Sequence, residues 1–103
     1  MKPDEREAIQ RGGDADVLLQ HPLITEALDR YEQELTQAWR NSKPKDAQGR
    51  EELHRMLHAA AHFRAYLQAV TDNGKVVETR IRELTMWEKA QERLQRFRVV
   101  GKR

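Results

Sequence analysis

The stretch from Asp46 to Lys75, DAQGREELHRMLHAAAHFRAYLQAVTDNGK, decides the fold of this chain of 103 residues. Its apolar residues recur at spacings of three and four, which is the period of one buried face of an α-helix. Asp46 is placed to cap the start of that helix. The residues Asp72-Asn73-Gly74-Lys75 are typical of a helix end, because Asn and Gly tolerate a left-handed backbone. We therefore predict a helix from Asp46 to about Asp72 with an inward face formed by Leu53, Met56, Leu57, Ala60, Phe63, Leu67 and Val70.

Two more amphipathic helices are predicted on either side of this one. Apolar residues follow the same spacing from Leu23 to Trp39, after a proline that suits the first helical position. The polar residues 41–45 then separate two helices. A third helix is predicted from Val76 to Arg98, with an inward face formed by Val77, Ile81, Leu84, Trp87, Ala90, Leu94 and Phe97. The predicted fold is all-α: a three-helix antiparallel bundle, or a helical hairpin plus an N-terminal helix.

The N-terminal residues have the start and end signals of a short helix, which we call the arm. Pro3 is followed by acidic residues, and Gly12-Gly13 is typical of a helix end. Few apolar residues lie between them, so we expect this arm to be loosely held, with a separate short turn over residues 17–19. The predicted organisation is an arm at residues 1–16, one helical domain at residues 17–98, and a basic tail at residues 99–103.

Composition excludes several classes of protein. The chain has no cysteine, so disulfides, thiolate chemistry and Cys-based zinc sites are excluded. No apolar run approaches the roughly 20 residues that cross a bilayer, and the N-terminus lacks the apolar stretch of a signal peptide. Ser42 is the sole serine and has no acid or histidine at a defined spacing. We predict a protein that is not an enzyme, not secreted, not in a membrane, and without a cofactor.

Three of the four histidines recur four residues apart, at His54, His58 and His62. Residues at this spacing stack on one side of a helix, and Glu51 lies one turn earlier. Glu51, His54 and His58 are candidate metal ligands, because imidazole suits several divalent transition metals. A pH-responsive interface is a second interpretation. The third, which we favour, is an ordinary polar helix face without metal. The three histidines, which we call the histidine ladder, point away from the predicted core.

Small residues follow the same outer side of the helix and would let another helix approach closely. We therefore expect contact with a second copy or a protein partner there. The candidate interface residues are His58, Ala61, His62, Ala65, Tyr66 and Ala69.

Basic residues concentrate at the C-terminal end, although the net charge is only +2. Such a cluster can meet nucleic acid, or it can simply complement the dipole of a helix C-terminus. The candidate nucleic-acid residues are Arg93, Arg96, Arg98, Lys102 and Arg103.

Residues 17–77 resemble a group of small helical proteins encoded among the head and packaging genes of tailed bacteriophages. The resemblance is carried by His21-Pro22-Leu23-Ile24-Thr25-Glu26-Ala27-Leu28, Leu35, Ala38-Trp39, Asp46, Gly49-Arg50-Glu51, Leu53, Arg64, Leu67 and Gly74-Lys75. It implies a non-enzymatic accessory of the virion or of head assembly, oligomeric, and found in the host cytoplasm or the virion. The alternatives are a small nucleic-acid-binding packaging or regulatory protein and a metal-binding helical oligomer.

Overall fold

The computed structural model describes the backbone of residues 1–101 and the side chains of residues 1–97. This part of the chain contains three α-helices: α1 at Pro3–Gln20, α2 at Pro22–Asn41 and α3 at Ala47–Gly101. The predicted all-α class is confirmed. Of the two expected architectures, the molecule has the second, a helical hairpin with an N-terminal helix.

Helices α1 and α2 together form one arm of the hairpin, and α3 alone forms the other. Gly12 of α1 lies against Gly74 of α3. Asp29 of α2 accepts a hydrogen bond from Arg64 of α3 at 3.0 Å. Residue numbers therefore rise along the first arm while they fall along α3, so both α1 and α2 run antiparallel to α3.

The first arm is interrupted at His21-Pro22. His21 is extended, with φ −70° and ψ 120°, and its Nδ1 accepts a hydrogen bond from the backbone N–H of Leu23 at 3.2 Å. Pro22 has no N–H to donate and suits the first position of α2. The hydroxyl of Thr25 donates to the carbonyl of Leu19 at 3.1 Å. This bond spans the break and holds the two helices end to end.

The turn between α2 and α3 is closed by a cap and a stacked cation. Asp46 accepts a hydrogen bond from the backbone N–H of Gly49 at 3.0 Å, which confirms it as the cap of α3. The Arg50 guanidinium lies 4.2 Å from the centre of the Trp39 ring, a cation–π contact between the two arms. The predicted polar linker is confirmed, since α2 ends at Asn41 and α3 begins at Ala47.

Backbones meet directly where α1 crosses α3. A Cβ added to Gly12 would lie 2.8 Å from the Cα of Gly74, which is closer than a side chain tolerates. Ala15, Thr71 and Val77 are buried around this contact. The Thr71 hydroxyl donates to the carbonyl of Leu67 at 3.0 Å, so its burial leaves no polar group unpaired.

The predicted end of the first helix at Gly12-Gly13 is wrong, as is the separate turn at residues 17–19. Helix α1 continues to Gln20, because Gly12 and Ala15 face α3 and packing there offsets the low helix propensity of glycine. The N-terminal arm that we predicted at residues 1–16 is therefore packed against α3 rather than loosely held. The division of the chain into residues 1–16, 17–98 and 99–103 stays a prediction.

The predicted helix end at Asp72-Asn73-Gly74-Lys75 is also wrong. Helix α3 runs without a break from Ala47 to Gly101, and none of the glycines in the described residues has a positive φ. Gly74 provides the space for the backbone of α1 instead of ending the helix. Asn and Gly weaken a helix by only about 1 kcal/mol or less each, and the contact with α1 outweighs that cost.

Because α3 has no turn at residue 74, part of the predicted core is exposed to solvent. Val77 is buried and Ile81 half-buried, as expected, but Leu84, Trp87, Ala90, Leu94 and Phe97 are exposed. With no turn at residue 74, the last part of α3 extends away from the hairpin. The molecule is accordingly a rod measuring 88 × 25 × 22 Å, close to the roughly 83 Å that 55 helical residues span.

Candidate protein-interaction site

The end of α3 projects beyond the first arm. Helix α1 runs antiparallel to α3 and Ala8 lies beside Gly74, so the first turn of α1 lies beside Val77 and Ile81. Every residue from 82 to 97 is exposed. We call residues 82–101 of α3 the projection. At about 1.5 Å per residue it is roughly 30 Å long.

The projection carries large apolar side chains on one side. Leu84 and Leu94 are each 55 % exposed, Trp87 is 62 % exposed and Phe97 is 81 % exposed. At about 100° per residue, Trp87 and Leu94 point in directions about 20° apart, and Leu84 and Phe97 flank them within an arc of about 140°. Ala90 lies within the same arc. We call Leu84, Trp87, Ala90, Leu94 and Phe97 the projecting stripe.

The projecting stripe begins where α1 stops covering α3. Val77 and Ile81 precede it at the same spacings of three and four, and both pack beneath α1. Arg80 and Glu83 line one shallow depression together with Leu84 and Trp87, so polar residues border the start of the stripe. A large apolar surface with a polar rim is typical of a protein-interaction site.

The candidate nucleic-acid residues lie on or beyond the projection. Arg93 and Arg96 are exposed, but the carboxylates of Glu88 and Glu92 alternate with them along the helix. The side chain of Arg98, and Lys102 and Arg103 as a whole, lie outside the described residues. Nucleic-acid binding through this end stays a prediction.

The histidine ladder faces solvent, as its angular position predicts. His54, His58 and His62 are all exposed. Glu51 accepts a hydrogen bond from Arg55 at 2.9 Å, so this carboxylate already has a cationic partner within its own helix. In the part of the chain that the structure describes, no three His, Asp or Glu side chains come together as a metal site would require.

The candidate interface face next to the ladder is divided by α1. His58, Ala61, His62 and Ala65 are exposed and belong to one bare side of α3. Tyr66 and Ala69 instead border a groove between α1 and α3, where the Tyr66 hydroxyl accepts a hydrogen bond from Arg11 at 3.1 Å. The last two residues of the predicted face therefore lie beside an element of the same chain.

Two structural contacts were missed from the sequence. Arg64 donates to Asp29 at 3.0 Å and to Glu32 at 3.3 Å, which ties α2 to α3. Gly12 and Gly74 bring α1 and α3 together. The small residues Ala8, Gly12 and Ala15 recur at helical spacing on α1, and that pattern was the available signal for a close helix crossing.

The sequence matches no protein-family model, no curated protein and no solved structure. Within the residues that the structure describes, none of the three helices is long and apolar enough to cross a lipid bilayer.

Proposed function

We propose that the chain is a non-enzymatic assembly protein that acts through helix–helix contacts, and that the projecting stripe is its contact surface. The observation that carries the proposal is the exposure of Trp87, Leu94 and Phe97 on the end of α3, which no other part of the described chain covers. An isolated helix of this length is marginally stable in water, because most helical stability comes from packing an amphipathic face. The projection therefore gains stability when a partner covers it.

The absence of an enzymatic role is part of the same proposal, and its support is chemical. Ser42, the sole serine, donates its hydroxyl to the carbonyl of Trp39 at the end of α2, where it caps the helix. The exposed histidines of the ladder lie on the bare side of a helix rather than in a cleft. General acid–base catalysis needs such groups within hydrogen-bond reach of a bound substrate.

The biological setting that we propose is head assembly in a tailed bacteriophage. Its support is the resemblance of residues 17–77 to small helical proteins encoded among phage head and packaging genes. An accessory of this kind would need surfaces for other proteins rather than a catalytic site, and the projecting stripe lies at one end of the rod.

Complementation in the phage that carries the gene tests this proposal. Deleting the gene should lower the yield of filled heads, and supplying the wild-type chain should restore it. The variant Trp87→Glu should fail to restore the yield, because a buried unpaired charge opposes docking. Thr85→Glu is the matched control: it adds the same charge half a turn around α3 from Leu94 and should restore the yield.

Two outcomes would contradict the proposal. An unchanged yield of filled heads after deletion would remove head assembly as the setting. Full restoration by Trp87→Glu would show that the projecting stripe is not the working surface.

A further inference from the structure

The projecting stripe has a two-fold symmetric spacing along the sequence. Leu84 and Phe97 are equally far from the point between Ala90 and Gln91, and so are Trp87 and Leu94. A symmetric dimer requires that one surface complement itself under a two-fold rotation. A stripe with this spacing meets that condition when a second copy lies antiparallel to it.

We propose that the projection pairs antiparallel with the projection of a second copy of this chain, about a two-fold axis between Ala90 and Gln91. This inference rests on the proposed function, since it names the occupant of the same surface. In this register Trp87 of each copy packs beside Leu94 of the other, and Leu84 shares a layer with the other copy's Phe97, on the opposite flank of the interface. Ala90 lies next to the axis, where a small side chain lets the two helices approach.

The angular positions agree with this register. Taking the direction midway between Trp87 and Leu94 as the centre, Leu84 and Phe97 lie about 70° to opposite sides of it, and Ala90 and Gln91 about 50° to opposite sides. The two members of each layer are therefore displaced to opposite sides of the interface, as in alternating layers of antiparallel paired helices. The second copy therefore covers both flanks of the projecting stripe to the same extent.

The second copy would continue an interface that the chain already makes. Helix α1 runs antiparallel to α3 and covers its apolar face as far as Val77 and Ile81. The partner's projection would also run antiparallel to α3, and it would cover the next residues from Leu84 onward. The C-terminal end of the partner's helix then meets the N-terminal end of α1, so helix dipoles of opposite sign come together.

Charge favours the antiparallel over the parallel arrangement. Beyond the two-fold axis, Arg93 and Arg96 outnumber Glu92. On the base side of the axis, Arg82 and Lys89 balance Glu83 and Glu88, and the first turn of α1 beside the base carries Asp4 and Glu5. A parallel pair would place the two basic ends side by side, whereas the antiparallel pair places each basic end beside the neutral base of the other copy and the acidic first turn of its α1.

Sedimentation equilibrium on the purified full chain tests the pairing. The wild-type chain and Thr85→Glu should show the same concentration-dependent monomer–dimer equilibrium. Leu94→Glu should raise the dimer Kd by about a hundredfold or more, because it buries an unpaired carboxylate at the centre of the stripe. Circular dichroism should give the same helicity for both variants when dilute. A wild-type chain that stays monomeric to its solubility limit would overturn the proposal.

Cysteine cross-linking tests the register. Because the chain has no native cysteine, only the introduced thiols can form a disulfide. Trp87→Cys and Leu94→Cys should each give no disulfide alone, because identical positions in the antiparallel pair are about 10 Å apart along the axis. Mixed together under oxidation they should give a disulfide heterodimer, resolved by a size tag on one variant. Homodimers from each variant alone would indicate parallel pairing and overturn the proposed register.

These results separate the inference from the proposed function. A monomeric chain whose Trp87→Glu variant still fails in complementation would reject self-pairing and leave the stripe as a surface for another protein. A dimer whose Trp87→Glu variant restores head yield would support the pairing and reject the assembly role of this surface.

Discussion

Gly74 shows how a single position changes the number of helices. Its local sequence, Asn73-Gly74, is typical of a helix end, yet the residue lies inside α3 with a helical backbone. A Cβ there would lie 2.9 Å from both the carbonyl oxygen of Ala8 and the Cα of Gly12. The residue is therefore glycine because of a tertiary contact, and the sequence around Gly74 itself does not show that contact.

Gly74→Ala should destabilise the protein by about 1–3 kcal/mol, because the added methyl group forces two backbones apart. This loss exceeds the gain of about 1 kcal/mol in helix propensity. Guanidinium unfolding followed by circular dichroism measures the difference. Gly13→Ala is the matched control: a Cβ there meets nothing within 4 Å, so this variant should gain roughly 0.5–1 kcal/mol. Equal stabilisation by both variants would show that α1 and α3 do not meet at Gly74.

Arg64 and Arg50 make residue-specific contacts between α2 and α3. Arg64 bridges Asp29 and Glu32, and Arg50 lies over Trp39. Apolar spacing does not predict such pairs, since it ranks arginine as an outward residue. Both arginines are only half-buried, and their contacts fix the register of α2 on α3.

At the level of elements, sequence periodicity predicted α2, the linker, the cap at Asp46 and most of the inward side of α3 as far as Ile81. Within that side, the predictions for Met56 and Phe63 were wrong, because both side chains are exposed. Sequence periodicity also failed where a glycine pair or an Asn-Gly pair had two possible roles. The same residues end an isolated helix and allow close packing of paired helices, and only the position of α1 decides between them. The projecting stripe was predicted as core for the same reason, because apolar spacing identifies a face and not what covers it.

Removing the end of α3 and removing α1 should have unequal effects on the Tm. A chain ending at Glu83 should keep the Tm of the full chain when both are dilute enough to be monomeric, because residues 84–97 are all exposed. A chain beginning at His21 lacks α1 and exposes Thr71 and Val77, so its Tm should fall by more than about 10 °C. Thermal unfolding at matched concentrations measures both. A large loss of Tm on removing the projection would contradict its description as unpacked.

As a whole molecule the chain is a rod. Its radius of gyration is 24.0 Å, whereas a compact domain of this size has about 13 Å. Small-angle scattering of a dilute sample should give a value near that of the rod. At high concentration the longest dimension should approach about 145 Å, the length of two 88 Å rods that overlap over roughly 30 Å of helix. A compact scattering profile at low concentration would contradict the hairpin.

Because α3 is one unbroken helix, it sets the distance between the turn at one end of the molecule and the projecting stripe at the other. Ala47 at the turn and Ala90 at the centre of the projecting stripe belong to one helix, so their separation follows from residue count alone, at roughly 65 Å. Removing seven residues from α3 would shorten that distance by about 10 Å and rotate the stripe by only about 20°. The length of α3 and the orientation of the stripe can therefore be changed almost independently in this chain, and a change in length would alter the distance between the turn and the stripe.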